Sequence, residues 1–64
     1  MRYMVVWARR TGDDGDKEAI EWVEEHVNNN LANGWELLGG ISITRSGTES
    51  YTHFIATQAM IKRD

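Results

Sequence analysis

The sequence predicts an α+β fold: a single β-α-β-β unit whose one helix covers a three-stranded, mainly antiparallel sheet. Three observations predict it. The chain opens on MRYMVVWARR, a short run rich in aromatic and β-branched residues. A stretch with apolar residues three and four apart follows. Two more strand-like runs, WELLGGISIT and YTHFIATQAMIK, close the chain. Sixty-four residues form one domain, 1–64.

The first strand is RYMVVWAR, and TGDDGD after it is a loop, with two glycines and three aspartates. A helix is expected over residues 16–33. Asp16 is its candidate N-cap, and Glu18 sets negative charge against the positive end of the helix dipole. Ile20, Val23, Val27 and Leu31 form its apolar stripe, which turns Trp22 outward onto the far face. Asn33-Gly34 ends the helix, with Gly34 suited to the left-handed position after the C-cap. A second strand is expected over 35–44, curved by a bulge at Gly39-Gly40. RSGTES is the hairpin turn, and the third strand covers 51–62.

The last strand is expected between the first two, which makes every pairing antiparallel. The alternative sets the first two side by side and parallel, joined by a right-handed crossover. Tyr3, Val5 and Trp7 point to one face of the sheet and Met4, Val6 and Ala8 to the other. The third strand divides Tyr51, His53, Ile55, Ala59 and Ile61 from Phe54, Ala56 and Met60. Both faces are therefore apolar, and one helix covers one face. The second face is expected to be buried in a homo-oligomer, a dimer or a tetramer. Size argues the same way. A chain this short buries only about 60% of the surface of its unfolded form, and with no cysteine it has no disulfides to add.

Net charge is -3 at pH 7. Acids crowd the centre, from Asp13 to Glu25, while Arg2, Arg9, Arg10, Arg45, Lys62 and Arg63 flank them. That distribution excludes duplex nucleic acid as a partner, since duplex binding calls for a basic patch. The apolar run at 3–8 is too short for a signal-peptide core or a bilayer span, so no membrane contact and a cytoplasmic location are expected.

Several motifs taken together resemble a known family. They are Tyr3-Met4-Val5-Val6, Val27-Asn28, Gly34-Trp35-Glu36, Gly39-Gly40 with Ile41-Ser42-Ile43, and Gln58-Ala59-Met60-Ile61-Lys62. The pattern covers nearly the whole chain. It is similar to small bacterial and phage proteins catalogued as domain of unknown function 1737 (DUF1737). The long acidic loop and the RSGTES segment depart from it. The resemblance implies a compact β-α-β-β unit that forms oligomers, and it implies no activity.

The candidate ligand-binding residues are Trp7, Arg9, Arg10, Arg45 and Tyr51. Arginine's planar fork suits phosphate or carboxylate, and aromatic rings stack on bases. The competing reading is that Arg9 and Arg10 neutralise Asp13, Asp14 and Asp16. Candidate interface residues are Trp22, Gly39 and Gly40. No cofactor is expected, and no metal site, because His26 and His53 lie far apart without cysteine partners. No catalytic residue is assigned: His53 and Ser42 with an aspartate make a triad only on paper, without a nucleophile-elbow motif. The expected function is therefore non-enzymatic. It is a small oligomeric binding protein, in the style of a phage sponge that removes a nucleotide or cyclic-nucleotide immune signal at a subunit interface. The alternative is a protein-interaction or assembly module that uses the acidic helix face and Trp22.

Overall fold

The computed structural model describes residues 1–48 and 51–63. β1 (Arg2–Thr11) leads to α1 (Gly15–Ala32), then β2 (Glu36–Thr48) and β3 (Tyr51–Lys62). The sheet order is β1-β3-β2. β3 is antiparallel to both neighbours, with Val5 opposite Ala59 on one side and Leu38 opposite Ala59 on the other. The alternative with a parallel first pair is excluded.

α1 packs on the face that carries Val6, Ala8, Ala56 and Met60, and contributes Ala19, Val23 and Val27. The alternation read from the sequence therefore assigned the two faces correctly. The core is thin. Met60 and Val23 are its largest fully buried side chains, each contributing roughly 1.5–3 kcal/mol. Alanines at 8, 19 and 56 let the helix approach the sheet closely.

The helix differs from expectation at its start and along its stripe. It begins at Gly15 with Asp14 as N-cap, rather than at Asp16. The Asp14 carbonyl accepts the first helical bond from Glu18 N–H at 3.0 Å. The buried stripe runs through Gly15, Ala19, Val23 and Val27, while Leu31 is exposed. Small Ala19 defines the centre of the stripe, and choosing Ile20 instead rotated the predicted face. That rotation also misplaced Trp22, which is half-buried and packs against the core rather than pointing outward. The C-terminal end is as read. Gly34 has φ +90°, Gly34 N–H donates to Leu31 O at 3.2 Å, and Trp35 N–H donates to Asn30 O at 3.0 Å. This is a Schellman closure.

β2 departs most from expectation. It continues through Arg45-Ser46-Gly47 to Thr48, which pairs with Tyr51. Those residues were expected to turn; instead they pair with Phe54, His53 and Thr52. The remainder of the expected turn, residues 49 and 50, lies outside the described residues. A 13-residue strand reaches about 43 Å, and an 18-residue helix about 27 Å. The sheet therefore outruns its helix, and the molecule measures 46 × 16 × 13 Å. The expected bulge is present: the ladder shifts between Leu38 and Ser42, where Gly39, Gly40 and Ile41 lack direct partners on β3. Gln58 fills the gap. Its Nε2 donates to the carbonyls of Gly39 (3.1 Å) and Ala59 (2.9 Å).

Candidate functional site

The five candidate ligand residues fall into two neighbouring clefts. The first lies at the outer edge of β1. Alternation along the strand sends Trp7 and Arg9 to the open face of the sheet and Ala8 and Arg10 to the helix face. Trp22 reaches the same edge from α1, and these five residues line an open cleft of about 510 Å³. Trp7 is 58% exposed. Arg10 lies over the Trp22 ring, its guanidinium carbon 5.9 Å from the centroid, and its Nη1 donates to Arg9 O at 2.8 Å. Trp22 in turn stacks on His26, with centroids 3.6 Å apart at 17°. The His26 Nδ1 donates to the Trp22 carbonyl at 3.0 Å. Arg10, Trp22 and His26 thus form a fixed stack, while Trp7 and Arg9 stand freer on the other side of the strand.

The second cleft, of about 470 Å³, is lined by Thr11, Gly12, Asp13, Arg45, Tyr51, Thr52 and Phe54. Arg10 and Arg45 both pair with Phe54, one from each side of β3. Two strand spacings separate their backbones, about 10 Å. Phe54, Thr11 and Thr52 escaped the sequence reading because only the strand register places them beside Arg45.

The charge balance distinguishes the clefts. Lys17 pairs with Glu21 and Arg63 with Glu36, at 4.0 and 3.2 Å on the surface. Arg9, Arg10 and Arg45 make no ion pair within 4.0 Å with an acid among the described residues. Asp13 nonetheless lines the second cleft, whereas the first holds two arginines and no acid. An anion is better served by the first.

The candidate interface residues separate likewise. Trp22 belongs to the first cleft. Gly39 and Gly40 floor a shallow groove of about 300 Å³ between α1 and β2, walled by Ile20, Val23, Val27, Leu37 and Ile41. A Cβ built on either glycine meets no atom within 4 Å.

His53 is half-buried, beside the Tyr51 ring at 5.8 Å. Its Nδ1 is buried without a hydrogen-bond partner among the described residues. His53 pairs across the sheet with Ser46, and Ser42 pairs with Thr57, so the paper triad is not assembled. Among the described residues no cluster of three histidines or acids is placed to hold a metal ion. No helix there is long and apolar enough to cross a membrane. The chain matches no family model, no curated protein and no solved structure in comparisons with known proteins.

Proposed function

We propose that this protein is a non-enzymatic, homo-oligomeric binding module that holds a phosphate-bearing ligand, a nucleotide or cyclic nucleotide, at the edge of a subunit seam. One observation carries the reading. Trp7 is exposed on the open sheet face and also walls the cleft that contains Arg9 and Arg10. A copy packed on that face would lie beside the cleft. The base would stack on Trp7, and the arginines would take the phosphate.

The seam is argued from apolar balance. Among the described residues ten large apolar side chains are exposed, against eight apolar residues in the core. Tyr3, Val5, Trp7 and Leu38 share the open face with half-buried Ile55 and Ala59. Three strands about 4.8 Å apart and ten residues long give a whole face on the order of 450 Å², of which these side chains form the apolar part. The motif resemblance to DUF1737 points the same way, toward an oligomer-forming unit. The role we propose is that of a cytoplasmic phage-type sponge. The alternative, a docking module built on the acidic helix face, has less support because Trp22 is half-buried against the core.

The test is a thermal-shift panel of mono-, di- and cyclic dinucleotides. A ligand at about 100 times its Kd stabilises by roughly 2.7 kcal/mol, a shift of roughly 10–20 °C for a domain this small. Arg9→Ala should abolish that shift without lowering the melting temperature of the free protein, and Trp7→Ala, which also trims the seam, should abolish it as well. A panel in which no nucleotide moves the melting temperature contradicts the ligand.

A further inference from the structure

We propose that β2 is a second self-association surface: two copies join their β2 strands edge to edge, antiparallel about a two-fold axis at Gly40. The inference rests on the homo-oligomer reading above and adds a contact distinct from the open-face seam.

β2 is one of the two free edges of the sheet, and the one that α1 does not lie over. Every one of its residues from Glu36 to Thr48 is exposed. α1 lies over β1 and β3, so Leu37, Ile41 and Ile43 remain 46–53% exposed on the helix side. Protein edges are normally protected by lysine, proline, inward charge, a bulge or a cover, and of these the middle of β2 carries only the bulge between Leu38 and Ser42. The stretch from Leu37 to Thr44 has no charge and no proline, and nothing of its own chain lies over Gly39 or Gly40. Gly39, Gly40 and Ile41 also lack direct ladder partners on β3.

The occupant is a second copy because the stretch is complementary to itself. An axis normal to the sheet keeps like faces together, which restricts antiparallel registers to those that pair even with even and odd with odd. Centred on Gly40, the pairs are Gly40 with Gly40, Gly39 with Ile41, Leu38 with Ser42 and Leu37 with Ile43. Each Ile41 then faces the missing side chain of Gly39 in the other copy, at the floor of the α1–β2 groove. Leu37 and Ile43 meet on the same side, a pair of the kind that stabilises sheets. Shifting the centre to Ser42 sets Arg45 against Gly39 and loses this fit.

Size decides how the contact works. Nine paired residues span about 30 Å, and a strip that long is on the order of 300–400 Å² per copy, too little for a stable dimer by itself. The edge contact therefore acts together with the open-face contact, which each copy makes to a different neighbour. The two axes are perpendicular, one normal to the sheet and one in its plane, so together they close a tetramer. In that assembly two six-stranded sheets pack by their open faces.

The chain has no cysteine, so single cysteines report the register. Directly opposed strand residues have Cβ atoms about 4.5–5.5 Å apart, close to what a disulfide needs. Gly40→Cys should give a disulfide-linked dimer on mild oxidation, and Thr44→Cys, set opposite Glu36, should not. Gly40 has no positive φ and open space above it, so the variant folds as the parent does. Light scattering should give a mass four times the 7.3 kDa of one chain. Ile41→Asp should halve that mass, as should Val5→Asp on the open face, and the two together should leave monomers. If Val5→Asp dissociates the assembly while Ile41→Asp does not and Gly40→Cys stays unlinked, the edge contact is overturned and the face seam stands. If Ile41→Asp dissociates it and Val5→Asp does not, the edge stands without the face. A monomeric parent protein overturns both.

Discussion

Two side chains show how little slack the strands contain. Gly47 has φ +117°, and a Cβ there would run into the Tyr51 carbonyl oxygen. Gly47→Ala should therefore cost about 1–3 kcal/mol from backbone strain, more if the hairpin must open to relieve the clash. Urea unfolding measures it, and an unchanged midpoint contradicts the geometry. Gln58 is 5% exposed and supplies the amide that ties the bulge to β3. Removing it leaves two carbonyls without that donor, so Gln58→Ala should cost roughly 1–3 kcal/mol. A loss of a few tenths would mean that water replaces the amide freely. By contrast, exposed pairs such as Lys17 with Glu21 contribute about 0–1 kcal/mol, and their removal should pass unnoticed.

At the scale of elements, the α1–β2 joint can be tested through Gly34. Its left-handed φ lets Gly34 and Trp35 satisfy the last carbonyls of α1. Gly34→Ala should cost on the order of 1 kcal/mol in the same unfolding assay. Space does not limit it, since a Cβ meets only the Lys62 side chain at 3.5 Å. This joint was legible in the sequence because Asn-Gly signals it by chemistry alone. The Gly39-Gly40 bulge was legible for the same reason, and the strand alternation named both faces of the sheet. The misreadings came where small or polar residues carry the information. Ala19 sets the helix face, but its size gave it little weight beside Ile20. Arg45-Ser46-Gly47-Thr48 has turn chemistry and is nonetheless strand, because pairing with Thr52, His53 and Phe54 overrides local propensity. The candidate site was half legible. Trp7, Arg9 and Arg10 are consecutive enough to be read as one group. That Trp22 completes their cleft, and that Arg45 stands across Phe54 from Arg10, depends on packing and register.

For the whole molecule, the governing fact is that the chain has more large apolar side chains outside than inside. A core with three alanines among its eight residues leaves a thin margin against the conformational entropy of 64 residues. In the proposed assembly, association would supply the missing burial and tie stability to concentration by mass action. The melting temperature of the parent protein should therefore rise as its concentration rises, whereas that of Val5→Asp with Ile41→Asp should be lower and independent of concentration. The most direct test is the molar mass of the untagged parent protein by sedimentation equilibrium over a wide concentration range. The account predicts a reversible assembly of several 7.3 kDa chains, and a single 7.3 kDa species at every concentration would contradict it.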